Sequence, residues 1–169
     1  MLYHITWSTY GSWLPGDPRG FRTRHHRTHV EGDYKNPPPP GTYDGLHAYA
    51  KGALTKPPVV LPIPLRPVAG QTCLEQFQKE WSTVHAISVG GEHVHAALEA
   101  QPQGLKALVG RAKKVPSHRI RAEIPGQVWA EGCHVMPIRD KGHWLNVLKY
   151  IRTHQFNSWV WVRNDLPGT

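Results

Sequence analysis

Residues 90–99, Gly-Gly-Glu-His-Val-His-Ala-Ala-Leu-Glu, constrain the fold more than any other stretch. Side chains of a strand alternate between its two faces. His93, His95, Ala97 and Glu99 therefore share one face, and Val94, Ala96 and Leu98 the other. The apolar side demands a core beneath it, while the opposite side presents two imidazoles next to each other. Such a pair can hold one divalent ion if further ligands come from elsewhere in the chain. It can equally be two surface histidines, and the remaining sequence has to decide.

The flanks support a sheet. Residues 84–89 form a second strand, and Gly90-Gly91 is a turn signal, so the two strands make an antiparallel hairpin. Residues 2–10 alternate cleanly, with Tyr3, Ile5, Trp7 and Thr9 on one face and His4, Thr6, Ser8 and Tyr10 on the other. A helix is expected over 72–81, with Thr72 and Glu75 as a capping box and Leu74, Phe77 and Trp81 as its apolar stripe. A second helix is expected over 104–122, with Leu105, Leu108, Val109 and Ala112 inward and Pro116 ending or kinking it. Residues 127–138 read as a strand interrupted at Gly132. Asp140 is then an N-cap for a helix to about Ser158. On that helix Trp144, Leu148 and Ile151 form a buried stripe, while Asn146, Tyr150 and His154 form a polar one at spacing four. The tail beyond it, with Trp159 to Val162, docks on the body or on a second subunit.

Residues 11–69 differ, with recurring Gly and Pro and no lasting period. They read as an insertion in one domain spanning 1–169. Without it the order is strand, helix, strand, strand, helix, strand, helix. That is an α+β pattern with a ferredoxin-like antiparallel sheet, helices on one face and an added C-terminal helix.

Charge narrows the partner. Twenty Lys and Arg against twelve Asp and Glu give a net charge of +8, which favours a polyanion, nucleic acid first. Arg22, Arg24 and Arg27 lie in a basic knot of the insertion, which is either a DNA-contacting loop or a solvated one. Lys106, Arg111, Lys113, Lys114, Arg119 and Arg121 extend the basic surface along the second helix, with phosphate as the favoured contact. Cys73 and Cys133 offer neither a disulfide framework nor a metal pair and are expected to be small apolar fillers. Neither a signal peptide nor a membrane-length apolar run is seen, so an intracellular, cytoplasmic protein with no membrane partner is expected.

Three stretches together resemble the single-tyrosine HUH transposases, the small insertion-sequence enzymes and their REP-associated relatives. These are Gly91-Glu92-His93-Val94-His95-Ala96-Ala97-Leu98-Glu99, Trp129-Ala130-Glu131-Gly132-Cys133-His134-Val135, and Val147-Leu148-Lys149-Tyr150-Ile151-Arg152-Thr153-His154-Gln155. The likeness covers residues 2–10 and 72–158 in the family's order. It implies that Tyr150 is the nucleophile and that His93 and His95 hold a divalent ion, Mg²⁺ or Mn²⁺. The implied chemistry is cleavage and rejoining of single-stranded or hairpin DNA through a 5′-phosphotyrosine link. The third metal ligand in that family follows the tyrosine by one turn and is often Gln. Here His154 stands there, with Gln155 next, which would shift preference toward softer ions such as Mn²⁺ or Zn²⁺. Glu99 and His4 are candidate metal or supporting groups. A homodimer and association with the nucleoid when DNA is bound are further implications.

Three rival functions fit parts of the pattern. A replication or mobilisation nickase would use the same chemistry, usually on a longer chain. A non-catalytic nucleic-acid-binding module of the same fold would be indifferent to Tyr150→Phe. A small metal-dependent hydrolase would act without a covalent adduct.

Overall fold

The computed structural model describes residues 1–18, 39–154 and 156–166. The chain divides into two units, one of Met1–Thr9 with Val59–Thr169 and one of Tyr10–Pro58. The elements in chain order are β1 (Leu2–Ser8), α1 (Asp44–Gly52), α2 (Leu65–Lys79), β2 (Thr83–Val89), β3 (His93–Glu99), α3 (Leu105–Arg119), β4 (His134–Pro137), α4 (Lys141–Arg152) and β5 (Trp159–Val162). The larger unit holds everything but α1. Its sheet has the order β4-β1-β3-β2-β5, with every neighbouring pair antiparallel. The strands and helices from β1 to β4 give β-α-β-β-α-β with strand order 4-1-3-2, the ferredoxin-like arrangement.

Alternation sorts the sheet into two faces, and each acquires a cover. Tyr3, Ile5 and Trp7 of β1 and Val94, Ala96 and Leu98 of β3 are buried on one face. Here α2 packs on the sheet, with Phe77 set edge-on to Trp7 at 6.3 Å, and α3 packs on α2. The opposite face is covered by α4, whose Val147, Leu148 and Ile151 bury Ala86 of β2 and Ala97 of β3. The polar positions on that face are thus closed over by a helix rather than left to solvent.

Several boundaries depart from the sequence expectation for identifiable reasons. The first expected helix starts at Leu65, not Thr72. Pro64 takes the cap position and Pro67 sits in the first turn, where a missing N–H costs nothing. Thr72 is therefore mid-helix and donates its hydroxyl to Val68 O at 2.6 Å instead of capping. Trp81 lies beyond the helix end with φ 59° and is 97% exposed, so it is not part of the apolar stripe. Pro116 does not end α3. A proline cannot donate to the carbonyl four residues back, and that carbonyl, Ala112 O, accepts from the Cys73 thiol at 3.2 Å. Burial pushes this thiol up to about 12, which keeps it protonated as a donor. Cys73 is thus more than a filler. The strand expected over 127–138 is reduced to β4 and a single bridge between Thr9 and Trp129, with Gly132 at φ +70° between them. The tail forms β5 against β2 in the same chain.

The smaller unit is not without regular structure, because α1 occupies Asp44–Gly52. Gly16 holds φ +80°, and a Cβ there would meet His47 N at 2.6 Å. Among the described residues no helix is long and apolar enough to cross a membrane.

Candidate active site

The site is assembled from three adjacent strands and the end of α4. Register sets His95 of β3 beside Thr6 of β1 and Ser88 of β2, all on the face under α4, with His4 one step along β1 opposite Ala97. The apolar residues of α4 anchor it there, which brings its last turn over the histidines. Asp140 starts the helix as expected, its carboxylate accepting from His143 N at 2.8 Å. The helix ends at Arg152, so His154 lies past the cap residue Thr153 and not on the helical stripe with Tyr150. Its ring still meets the sheet, with Nδ1 3.0 Å from Ser88 Oγ.

Three imidazoles converge. The His154 ring lies 4.6 Å from both the His93 and the His95 rings, and His93 and His95 are 5.0 Å apart. His93 Nε2 and His154 Nε2 share a hydrogen bond of 2.8 Å. One ligand atom from each of the three lies within 4.8 Å of the others, a group able to hold a metal ion. Tyr150 stands beside them, edge-on to His95 at 4.8 Å and to His4 at 6.4 Å, and is 49% exposed. A phenol at that position can reach both solvent and the imidazoles.

Burial keeps His95, His154 and His4 neutral. His95 is lowered to about 2, first by burial and then by His154, His93 and His4. His154 is lowered to about 4 by burial and by His93. His4 is lowered to about 4 by burial, with His134 and His143 adding to it. A neutral imidazole carries the lone pair that a metal ligand must offer. The residues fit a cation on a further count, since His95 Nε2 is buried with no hydrogen-bond partner. A buried polar atom is normally satisfied, and an ion would satisfy this one.

The other sequence candidates are distributed as follows. His4 supports His95, its Nε2 lying 3.1 Å from His95 Nδ1. Glu99 turns to His85, whose Nε2 it meets at 3.0 Å, and away from the three histidines. Gln155, Arg22, Arg24 and Arg27 lie outside the described residues. Arg111 is engaged in a two-pronged ion pair with Glu80. Lys113 donates to Ala130 O at 2.6 Å and Gly132 O at 2.7 Å. Lys106, Lys114, Arg119 and Arg121 are exposed. Lys114 and Arg121 line a groove of about 430 Å³ with Lys113, His118 and Trp129, and no carboxylate lines it. Sequence reasoning missed Ser88, whose Oγ is 3.0 Å from His154 Nδ1, and Ser158, 3.4 Å from the same atom. The signal for Ser88 was present: it is a lone hydroxyl in the apolar run of β2, and the hairpin turn sets it opposite His95.

No family model matches the chain, and no curated protein matches it. Among solved structures, one from Deinococcus radiodurans R1, whose assignment as a transposase is itself provisional, is similar to it with 16% identity and a TM-score of 0.42, over 90% of this chain and 88% of that one.

Proposed function

We propose that this chain is a metal-dependent DNA strand transferase of the single-tyrosine HUH type, with Tyr150 as nucleophile. The observation that carries the reading is the placement of an accessible tyrosine ring 4.8 Å from the ring of a buried histidine that belongs to a three-imidazole group. A structural tyrosine needs no such neighbours, whereas a phosphoryl-transfer nucleophile needs cationic charge at hand.

His93, His95 and His154 would hold a divalent ion. When bound, it supplies positive charge to a non-bridging oxygen of the scissile phosphate. The chain's own residues do the rest. The phenol of Tyr150, half exposed, gives up its proton to solvent water, and its oxygen forms the new bond to phosphorus. The bond from phosphorus to the 3′ oxygen breaks, and that oxygen takes a proton and leaves as a 3′-OH. The downstream fragment stays on Tyr150 through its 5′ phosphate as a phosphotyrosine, so the phosphodiester is conserved and can be rejoined by the reverse step. Half-buried His4 and buried His95 form the floor against which the tyrosine ring packs. The DNA partner is read as single-stranded or hairpin, and the groove of Lys114 and Arg121 is its proposed backbone contact.

The test is incubation of the protein with labelled single-stranded hairpin DNA and Mn²⁺, followed by a denaturing gel. A labelled protein–DNA adduct is expected from the wild type and is expected to vanish in Tyr150→Phe and in His93→Ala. Nicked product with no adduct, from a DNA end that the protein does cleave, would overturn the reading.

A further inference from the structure

We infer that the three imidazoles form an Nε2-directed cap for a late first-row divalent ion of the Zn²⁺, Co²⁺ or Ni²⁺ class in preference to Mg²⁺, and that His4 and Ser88 are the positioning residues that aim it. The inference builds on the proposed function, but it concerns the ion and its supports rather than the strand transfer.

The donor set argues for the class of ion. The metal-capable group is His93, His95 and His154, with no carboxylate or thiolate in it among the described residues. Mg²⁺ is hard, takes oxygen ligands and gives up its water reluctantly. Imidazole nitrogen suits Zn, Cu, Fe and Ni instead, and affinity for a nitrogen site rises through Co²⁺ and Ni²⁺. A neutral three-nitrogen cap also offers a hard cation no anionic ligand to offset the loss of its water. Glu99, the acidic side chain that shares this face of β3, is held by His85.

The hydrogen bonds argue for the supports. His95 has one ring nitrogen, Nδ1, 3.1 Å from His4 Nε2 and the other buried without a partner. If His95 carried its proton on Nε2, a buried donor would face no acceptor. With the proton on Nδ1, donated to His4, Nε2 keeps a lone pair that an ion can use. His154 repeats the device on the neighbouring strand. Its Nδ1 lies 3.0 Å from Ser88 Oγ, which leaves Nε2 turned toward His93 Nε2. Metal-binding histidines are usually oriented in this way through the nitrogen that does not bind. Here β1 and β2, the strands on either side of β3, supply the partners, so the sheet itself sets the direction of two of the three ligands.

The experiment is a Co²⁺ titration of the chelator-treated full chain, read by visible absorption, with competition by Zn²⁺ and by Mg²⁺. Bound Co²⁺ should be displaced by equimolar Zn²⁺ and should be unmoved by a large excess of Mg²⁺. Ser88→Ala and His4→Ala should each weaken Co²⁺ binding about 10–100-fold. In the metal-free protein, ring ¹⁵N shifts should report His95 protonated on Nδ1, and His4→Ala should turn this into a mixture of tautomers. Displacement of Co²⁺ by Mg²⁺ at comparable concentration overturns the inference. So does a His4→Ala, Ser88→Ala pair that leaves both affinity and ring shifts unchanged. Adduct formation with Mg²⁺ but no Co²⁺ binding would sink the ion assignment and leave strand transfer standing. Tight Co²⁺ binding with no adduct on any DNA would do the opposite.

Discussion

Two buried histidines lie under opposite ends of α4, and their surroundings differ in one respect. His95 sits beneath the last turn, near Tyr150, and His85 beneath the first, edge-on to Trp144 at 5.1 Å. Each leaves one ring nitrogen buried without a partner, Nε2 in His95 and Nδ1 in His85. The remaining nitrogen of His85 meets the Glu99 carboxylate at 3.0 Å, whereas that of His95 meets the His4 imidazole at 3.1 Å. A carboxylate supplies the negative charge that a histidine can pair with, so the His85 end is balanced by the chain itself. At the His95 end the neighbours are three more imidazoles with no anion among them, and a cation is what that arrangement lacks. The unpaired nitrogen alone does not mark a functional histidine. What the second nitrogen meets does.

That contrast breaks most directly under alanine. His95→Ala is expected to weaken Co²⁺ binding by more than the roughly 10–100-fold that loss of a supporting partner costs. His85→Ala is expected to leave it unchanged, although both variants lose buried packing. The readout is the same absorption titration, with thermal melting run alongside. If both substitutions abolish metal binding in proteins that still melt cooperatively, the two ends of α4 act as one site and the distinction falls.

The same contrast shows how much the sequence carried. Alternation in 2–10 and 93–99 assigns the right faces to β1 and β3, because a half-buried strand imposes a period of two on its residues. His93 and His95 were legible for that reason, and Tyr150 by helical spacing from the buried stripe. The α+β sheet was legible from the order of the elements. Events that depend on one distant contact were not. Pro67 reads as loop but sits inside the first turn of α2, where it is tolerated. Pro116 reads as the end or a kink of a helix, but the Cys73 thiol takes up the carbonyl it orphans and α3 runs on to Arg119. His154 reads as the next step of a helical stripe, yet reaches the site from beyond the helix cap. The pairing of His85 with Glu99 was hidden by the irregular register between Val84 and Ala86, which shifts His85 out of simple alternation.

Gly70 is another contact that only the folded chain reveals, and it tests whether the cover on the far side of the sheet is as fixed as α4. Alanine in place of a mid-helix glycine normally stabilises by up to about 1 kcal/mol. Here a Cβ would lie 2.0 Å from the Trp159 ring of β5. Overpacking of that kind costs about 1–3 kcal/mol, so Gly70→Ala should lower the urea midpoint, with metal affinity unaffected. A raised midpoint would mean that β5 yields, and that the α2 face is the more adaptable of the two.

The smallest expected effect sharpens the comparison most. Glu99→Gln keeps a carbonyl oxygen to accept from His85 Nε2 and removes only the charge. Glu99 is half exposed, with its side chain 54% accessible, so water screens the pair. An ion pair of this exposure contributes about 0–1 kcal/mol, and the loss should stay within that range in urea unfolding. Co²⁺ affinity should not change, because the carboxylate points to His85 and not to the three histidines. If Glu99→Gln weakened Co²⁺ as much as Ser88→Ala, negative charge at the far end of α4 would be part of the metal site. The neutral three-nitrogen cap would then have to be redrawn as a site that draws on a carboxylate.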